Sequence, residues 1–313
     1  MQRNPEDLYE LGPDTPDVKD APMLHYLEGF IDAGNAGRLL AEHLLQNFSA
    51  QTVARFDVDR LLDYRSRRPL MIYDNSHWES YEAPELALHV LRDASDRPFL
   101  LLTGPEPDHE WTLFTQAVMS LVDRLGIGLA VSFLGIPAGM PHTRPLGVIG
   151  HATRDDLISG SQRLPNRIQL PGSAHALLEL RLGEAGRDAA GFAVQVPHYL
   201  AQAVYPPAAV ALLGSVATVT GLQLPDTELR EAAERTNEAI ERQVAESEEV
   251  AQLVRALEQQ YDTTASEAGA DGVTADGSSL LGEGEAMPTA DELAAQFERF
   301  LAENQGRMDP PEG

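Results

Sequence analysis

Residues 99–149 run FLLLTGPEPDHEWTLFTQAVMSLVDRLGIGLAVSFLGIPAGMPHTRPLGVI. An apolar run, Phe99 to Thr103, stops at Gly104-Pro105, and a helix-length segment follows. A second apolar run, Gly128 to Leu134, stops at Gly135-Ile-Pro-Ala-Gly139. Short apolar runs bounded by Gly and Pro, with an amphipathic segment between them, predict a βαβ unit with buried parallel strands. Leu113, Phe114, Ala117, Leu121 and Leu125 form the apolar stripe of a helix over 110–125. Glu106 and Asp108 precede it, where acidic groups favour the positive end of the helix dipole. Ligands and partners of open α/β sheets are met beyond the carboxyl ends of the strands. The stretch therefore gives a fold class, α/β with a mostly parallel sheet flanked by helices, and a place to look for function.

Toward the N-terminus, residues 1–20 are polar and Pro-rich, an arm expected to lie over the surface. Met23 to Leu27 predicts a strand, with the loop Glu28–Gly34 at its carboxyl end. Asn35 is the expected N-cap of a helix reaching about Phe48, with Leu39, Leu40, Leu44 and Phe48 on one face. Thr52–Phe56 and Leu70–Tyr73 predict strands. His77–Tyr81 and Leu86–Leu91 fit a hairpin or extended pair, and a helix also fits the second. Trp78 and Tyr81 fit either an interface anchor or the monomer core.

Toward the C-terminus, Ser173–Leu182 predicts a helix capped by Ser173 and stopped by Gly183. Gly191–Val196 predicts a strand, and Pro207 starts an apolar helix ending at Gly221. An α/β domain over 21–224 is the expectation. A charged helical extension follows at 225–262, as two helices or one kinked one, because the apolar spacing slips between Val244 and Val250. Residues 263–287 have the composition of a flexible acidic linker. Residues 288–304 predict an amphipathic helix with a capping box and the stripe Leu293, Phe297, Phe300, Leu301, docked on its own domain or on a partner. A disordered tail is expected over 305–313.

The 313 residues include no cysteine, which removes disulfides, thiol chemistry and cysteine-based zinc sites. No signal peptide and no membrane-spanning segment is visible, so a soluble, cytoplasmic protein is expected. The formal net charge of −26 argues against nucleic acid as a partner. Residues 225–313 carry 22 acidic and 6 basic residues, −16 of that total. The acidic end fits solvated helix faces or a docking surface for a basic partner.

Three loops are expected to meet at the carboxyl edge: Gly29–Gly37, Thr103–Trp111 and Gly135–Arg144. They supply a candidate ligand or partner cleft of Asp32, Asn35, Gly37, Thr103, Gly104, Glu106, His109, Trp111, Gly135, His142, Thr143 and Arg144. Its chemistry suits general acid–base work, with His142 or His109 as base and Arg144 holding an anion. The N–H groups of Asn35–Gly37 suit a phosphate or carboxylate. The same residues also suit plain structure: Asp32 and Asn35 cap a strand-to-helix turn, and Arg144 pairs with a carboxylate. No catalytic residue is assigned, and no metal or cofactor is expected, since no helical HxxxH or HExxH pair occurs. P-loop, GxSxG and dinucleotide fingerprints are missing as well.

Taken together, Gly29-Phe-Ile-Asp-Ala-Gly-Asn-Ala-Gly37, Gly104-Pro-Glu-Pro-Asp108 with Trp111, Leu134-Gly-Ile-Pro-Ala-Gly-Met-Pro-His-Thr-Arg-Pro145 and Val196-Pro-His-Tyr199 resemble the PAC2 (proteasome assembly chaperone) family in its actinobacterial branch. The resemblance covers about residues 20–222, and the acidic helical C-terminus is like that of bacterial members. It implies a phosphorylase/hydrolase-like α/β sheet assembled into homo-oligomers, a trimer among them. It implies proteasome subunits as partners. Activating relatives end in a hydrophobic-Tyr-any-residue motif, and this chain ends Arg307–Gly313 without one, an expectation against docking by tail insertion. The reading that follows is a non-catalytic, homo-oligomeric interaction scaffold. Its alternatives are an enzyme or binder of a nucleoside-like or carboxylated molecule at the cleft, or an adaptor whose acidic helices recruit another partner.

Overall fold

In chain order the elements are β1 (Tyr9–Leu11), β2 (Pro22–Glu28), α1 (Ala36–Asn47), β3 (Gln51–Phe56), α2 (Val58–Leu61), β4 (Met71–Asp74), β5 (His77–Tyr81), β6 (Ala87–Arg92), β7 (Pro98–Pro105) and α3 (Trp111–Leu125). Then come β8 (Leu129–Ala138), β9 (Val148–Ala152), α4 (Ala174–Glu184), β10 (Ala189–Pro197), α5 (Pro206–Thr220), α6 (Thr227–Glu246) and α7 (Glu248–Asp271). The structure, a computed structural model, describes residues 4–13, 16–164 and 167–271.

Eight strands form one sheet in the order β1-β3-β6-β7-β2-β8-β10-β9. The central four, β7, β2, β8 and β10, run parallel, and the strands on either side run antiparallel. The β7–α3–β8 unit is present as the sequence predicts, with β2 inserted between its two strands and parallel to both. Near-continuous apolar sequence is what such strands need, because helices cover both faces. On one face α1 and α5 pack with residues of α6 and α7 around Leu24, Phe133 and Phe192. On the other, α3 and α4 pack with the N-terminal strand around Met23, Leu100 and Phe114.

Several expectations change. The N-terminal arm is part of the body: β1 pairs with β3 at the sheet edge, and Leu8 and Tyr9 are buried. β5 pairs with β4 in a separate two-stranded hairpin, while Leu86–Leu91 joins the main sheet as β6 between β3 and β7. Alternation alone could not separate these, since a strand's pattern does not name its neighbour. The charged extension is two helices, divided at Ser247, which is extended. Helix α7 continues to Asp271, past Thr263, where composition places the start of the linker. Ala265, Glu267, Ala268 and Ala270 favour helix, and Gly269 is the single glycine that α7 takes in before Gly272. Residues 272–287, the helix predicted at 288–304 and the tail at 305–313 lie outside the described residues. Among the described residues no helix is long and apolar enough to cross a membrane.

Candidate functional site

Strand order brings the three loops side by side, because β7, β2 and β8 are neighbours and end at the same edge. The loop after β2 touches both others. Asp32 Oδ1 accepts from the Gly135 backbone N–H (2.9 Å), and the Glu106 N–H donates to the Glu28 carbonyl (2.8 Å).

Asp32 is the knot. Its carboxylate accepts from Gly37 N (2.9 Å) and Arg38 N (3.0 Å) in the first turn of α1, from Gly135, and from the Tyr26 hydroxyl (3.0 Å). Asp32 therefore caps α1, the job expected of Asn35. Asn35 sits in left-handed backbone at φ 51° and donates its amide to the Ala203 carbonyl instead. Gly135 is required here: a Cβ would stand 2.0 Å from the Ala33 carbonyl oxygen. At Gly37 a Cβ would meet the Tyr26 ring at 2.6 Å.

Glu106, 5% exposed, turns the other way. Its carboxylate accepts from the Ala174 N–H and so caps α4 on the α3/α4 face, rather than lying at the start of α3. Asp108 accepts from Asp63 N (2.8 Å) and Arg67 Nη2 (2.8 Å), which ties down the connection from α2 to the hairpin. The His109 N–H donates to the Leu61 carbonyl, and the Trp111 indole N–H donates to the Pro107 carbonyl. Thr103 pairs with Tyr26 within the sheet. Gly104 has φ 143°, and a Cβ there would stand 2.3 Å from the Glu85 carbonyl oxygen.

On the α5/α7 side, Arg144 holds Asp262 in a fork (Nε 2.9 Å, Nη2 2.7 Å) and Glu258 (3.1 Å), both on α7. Hydrogen bonding from Arg144 lowers the Asp262 pKa. Thr143 donates to Glu258 (2.6 Å). The Tyr199 hydroxyl accepts from the His142 N–H (2.8 Å) and lies 2.7 Å from its Nδ1. Burial holds the His142 pKa below its ordinary value and raises that of Tyr199. The loops are thus adjacent, but their charged side chains do not converge. Glu106 faces α4, Asp32 is spent on backbone N–H groups, and Arg144 faces α7. Among the described residues no group of three or more His, Cys, Asp or Glu is placed to hold a metal ion.

The profile of the PAC2 family matches residues 26–244. The chain belongs to the PAC2 family. Among solved structures, the Mycobacterium tuberculosis protein of unknown function Rv2714 is 46% identical, with a TM-score of 0.79 over 84% of this chain and 92% of that one. A Corynebacterium glutamicum protein of unknown function is 37% identical, with a TM-score of 0.80 over 83% and 98%. The M. tuberculosis proteasome-assembly chaperone homologue Rv2125 is 28% identical, with a TM-score of 0.68 over 74% and 99%. No curated protein matches the chain.

In this PAC2 protein, partners that sequence reading missed complete the edge: Tyr26 for Asp32, Arg67 for Asp108, Glu258 and Asp262 for Arg144. The last two had a signal in their i, i+4 spacing on an acidic helix. A polar row, buried at His25 and Ser132 and open to solvent at His151, was missed altogether. His25, Ser132, Gly191 and His151 are register partners across β2, β8, β10 and β9. A Cβ on Gly191 would meet the His151 ring at 2.1 Å and Ser132 Oγ at 2.5 Å. From α4, Glu179 binds His151 (2.9 Å). His25 is 1% exposed, and neither ring nitrogen has a hydrogen-bond partner among the described residues.

Proposed function

We propose that this PAC2 protein is a cytoplasmic, non-catalytic, homo-oligomeric scaffold that handles other proteins in the manner of a proteasome-assembly chaperone. One observation carries the reading. Three of the chemistry-bearing side chains of the carboxyl edge are engaged in joining loops to helices: Asp32 to α1 and β8, Glu106 to α4, Arg144 to α7. A group locked into such contacts is not free to meet a substrate, whereas the rigid edge it builds suits a surface that docks proteins. Likeness to the mycobacterial proteasome-assembly chaperone homologue supports the choice of partner.

The test is direct mixing of the purified chain with proteasome α subunits of its own organism, followed by size-exclusion chromatography and native mass spectrometry. Comigration in fixed stoichiometry is expected. Separate elution at micromolar concentrations, in low and moderate salt alike, would overturn the proteasome reading.

A further inference from the structure

Helix α4 is apolar on two sides. Ala174, Leu178 and Leu182, at four-residue spacing, are buried in the α3/α4 core. Ala176 and Leu180, also four apart, share another face and are exposed, with half-buried Leu177 beside them. Leu180 is 56% exposed. The loop leading into α4 lengthens the strip, with Leu170 68% exposed and Ile168 39%. A helix that is apolar all round belongs in an interior, so its outer face calls for a cover.

One segment of the chain has the matching chemistry. Residues 288–304, outside the described residues, carry Leu293, Phe297, Phe300 and Leu301 at helical spacing, and a helix this short is marginal in water unless it docks. We propose that this segment lays its Leu and Phe stripe on the outer face of α4 of the same chain. The contact goes beyond the proteasome reading and does not depend on it.

Charge and reach select the occupant. Residues 159–173 hold Arg163 and Arg167 and no acidic residue, on a chain of −26, and exposed Arg181 flanks the strip. Residues 288–304 hold Asp291, Glu292, Glu298 and Glu303 against Arg299 alone. Opposite charge steers the segment to this side, whereas the acidic helices α6 and α7 repel it. Asp262 of α7 and the start of α4 both lie at the carboxyl edge, on opposite faces of the sheet: Arg144 holds the first and Glu106 caps the second. Residues 272–287 have linker composition, and such a chain spans roughly 20–25 Å. Roughly 20 Å separates the helix layers on the two faces of a sheet, so the segment reaches.

Hydrogen exchange of the full chain, read on residues 288–304, tests this, with thermal unfolding to verify the fold. Slowed exchange that does not change on dilution is expected for the natural chain. Leu180→Glu and Leu170→Glu, both at exposed positions, should speed it by about tenfold or more with melting unchanged. Phe297→Ser/Phe300→Ser should do the same from the other side of the contact, without touching the described body. Exchange at the rate of an open chain in the natural protein overturns the proposal. So does protection that survives both Leu180→Glu and Phe297→Ser/Phe300→Ser. Protection lost on dilution would put the segment on a second copy and overturn the contact within one chain.

Discussion

At Asp32 three backbone N–H groups and a phenol meet on one carboxylate, spanning β2, α1 and β8. Asp32→Ala removes the acceptor for all of them, and a loss on the order of 3 kcal/mol in chemical denaturation is expected. Asp32→Asn keeps one carbonyl oxygen and should lose less. An unchanged midpoint for the alanine variant would refute the knot. His25 makes a prediction in pH. Burial, with His175 and His151 adding like-charge repulsion, lowers its pKa from 6.5 to about 3, and burial lowers His175 to about 4. A histidine with a depressed folded pKa holds its proton more weakly in the fold than in the unfolded chain. Stability is therefore complete above about pH 6.5 and drains as the pH falls, by up to about 1.4 kcal/mol per pH unit for each such group. His25→Leu should flatten that slope between about pH 6.5 and about pH 4.5, and identical slopes would sink the assignment. The importance of Asp32 was legible, because an Asp ahead of a helix caps it. The His25 row was not. Its members come from four strands, and only register lines them up.

Among the elements, α7 is tied to the body at a few named points. Val250 and Val254 are buried in the α1/α5 core, and Arg144 and Thr143 grip its acidic face. Arg144→Ala should raise hydrogen exchange along α7 while leaving α3 and the central strands protected, and unchanged α7 exchange would remove the clamp from the account. Elements with strong punctuation were legible: α5 begins at Pro206, one residue before the proline read as its start, and ends at Gly221 in left-handed backbone. Elements that depend on a distant neighbour were not. β1 is three residues long and owes its strand to β3, while β5 and β6 look alike in sequence and part company only through their pairing. The same limit governs the candidate site. Adjacency of the three loops followed from buried parallel strands, but the direction of Glu106 depended on α4, more than sixty residues further along the chain.

For the molecule as a whole, the charge of −26 predicts a salt response. Raising the salt from about 0.05 M to about 0.5 M should weaken capture of a basic partner at the acidic helices, and an affinity that ignores salt would take those helices out of the account. Leu229 and Ile240 of α6 and Val250 and Val254 of α7 lie inside the same core as α1 and α5. A chain trimmed at Pro225 would thus be a wounded body with a raw greasy flank, prone to clump. Lost binding after such trimming would speak of injury, and single exposed side chains are the sounder instrument for charting where this molecule grips its neighbours.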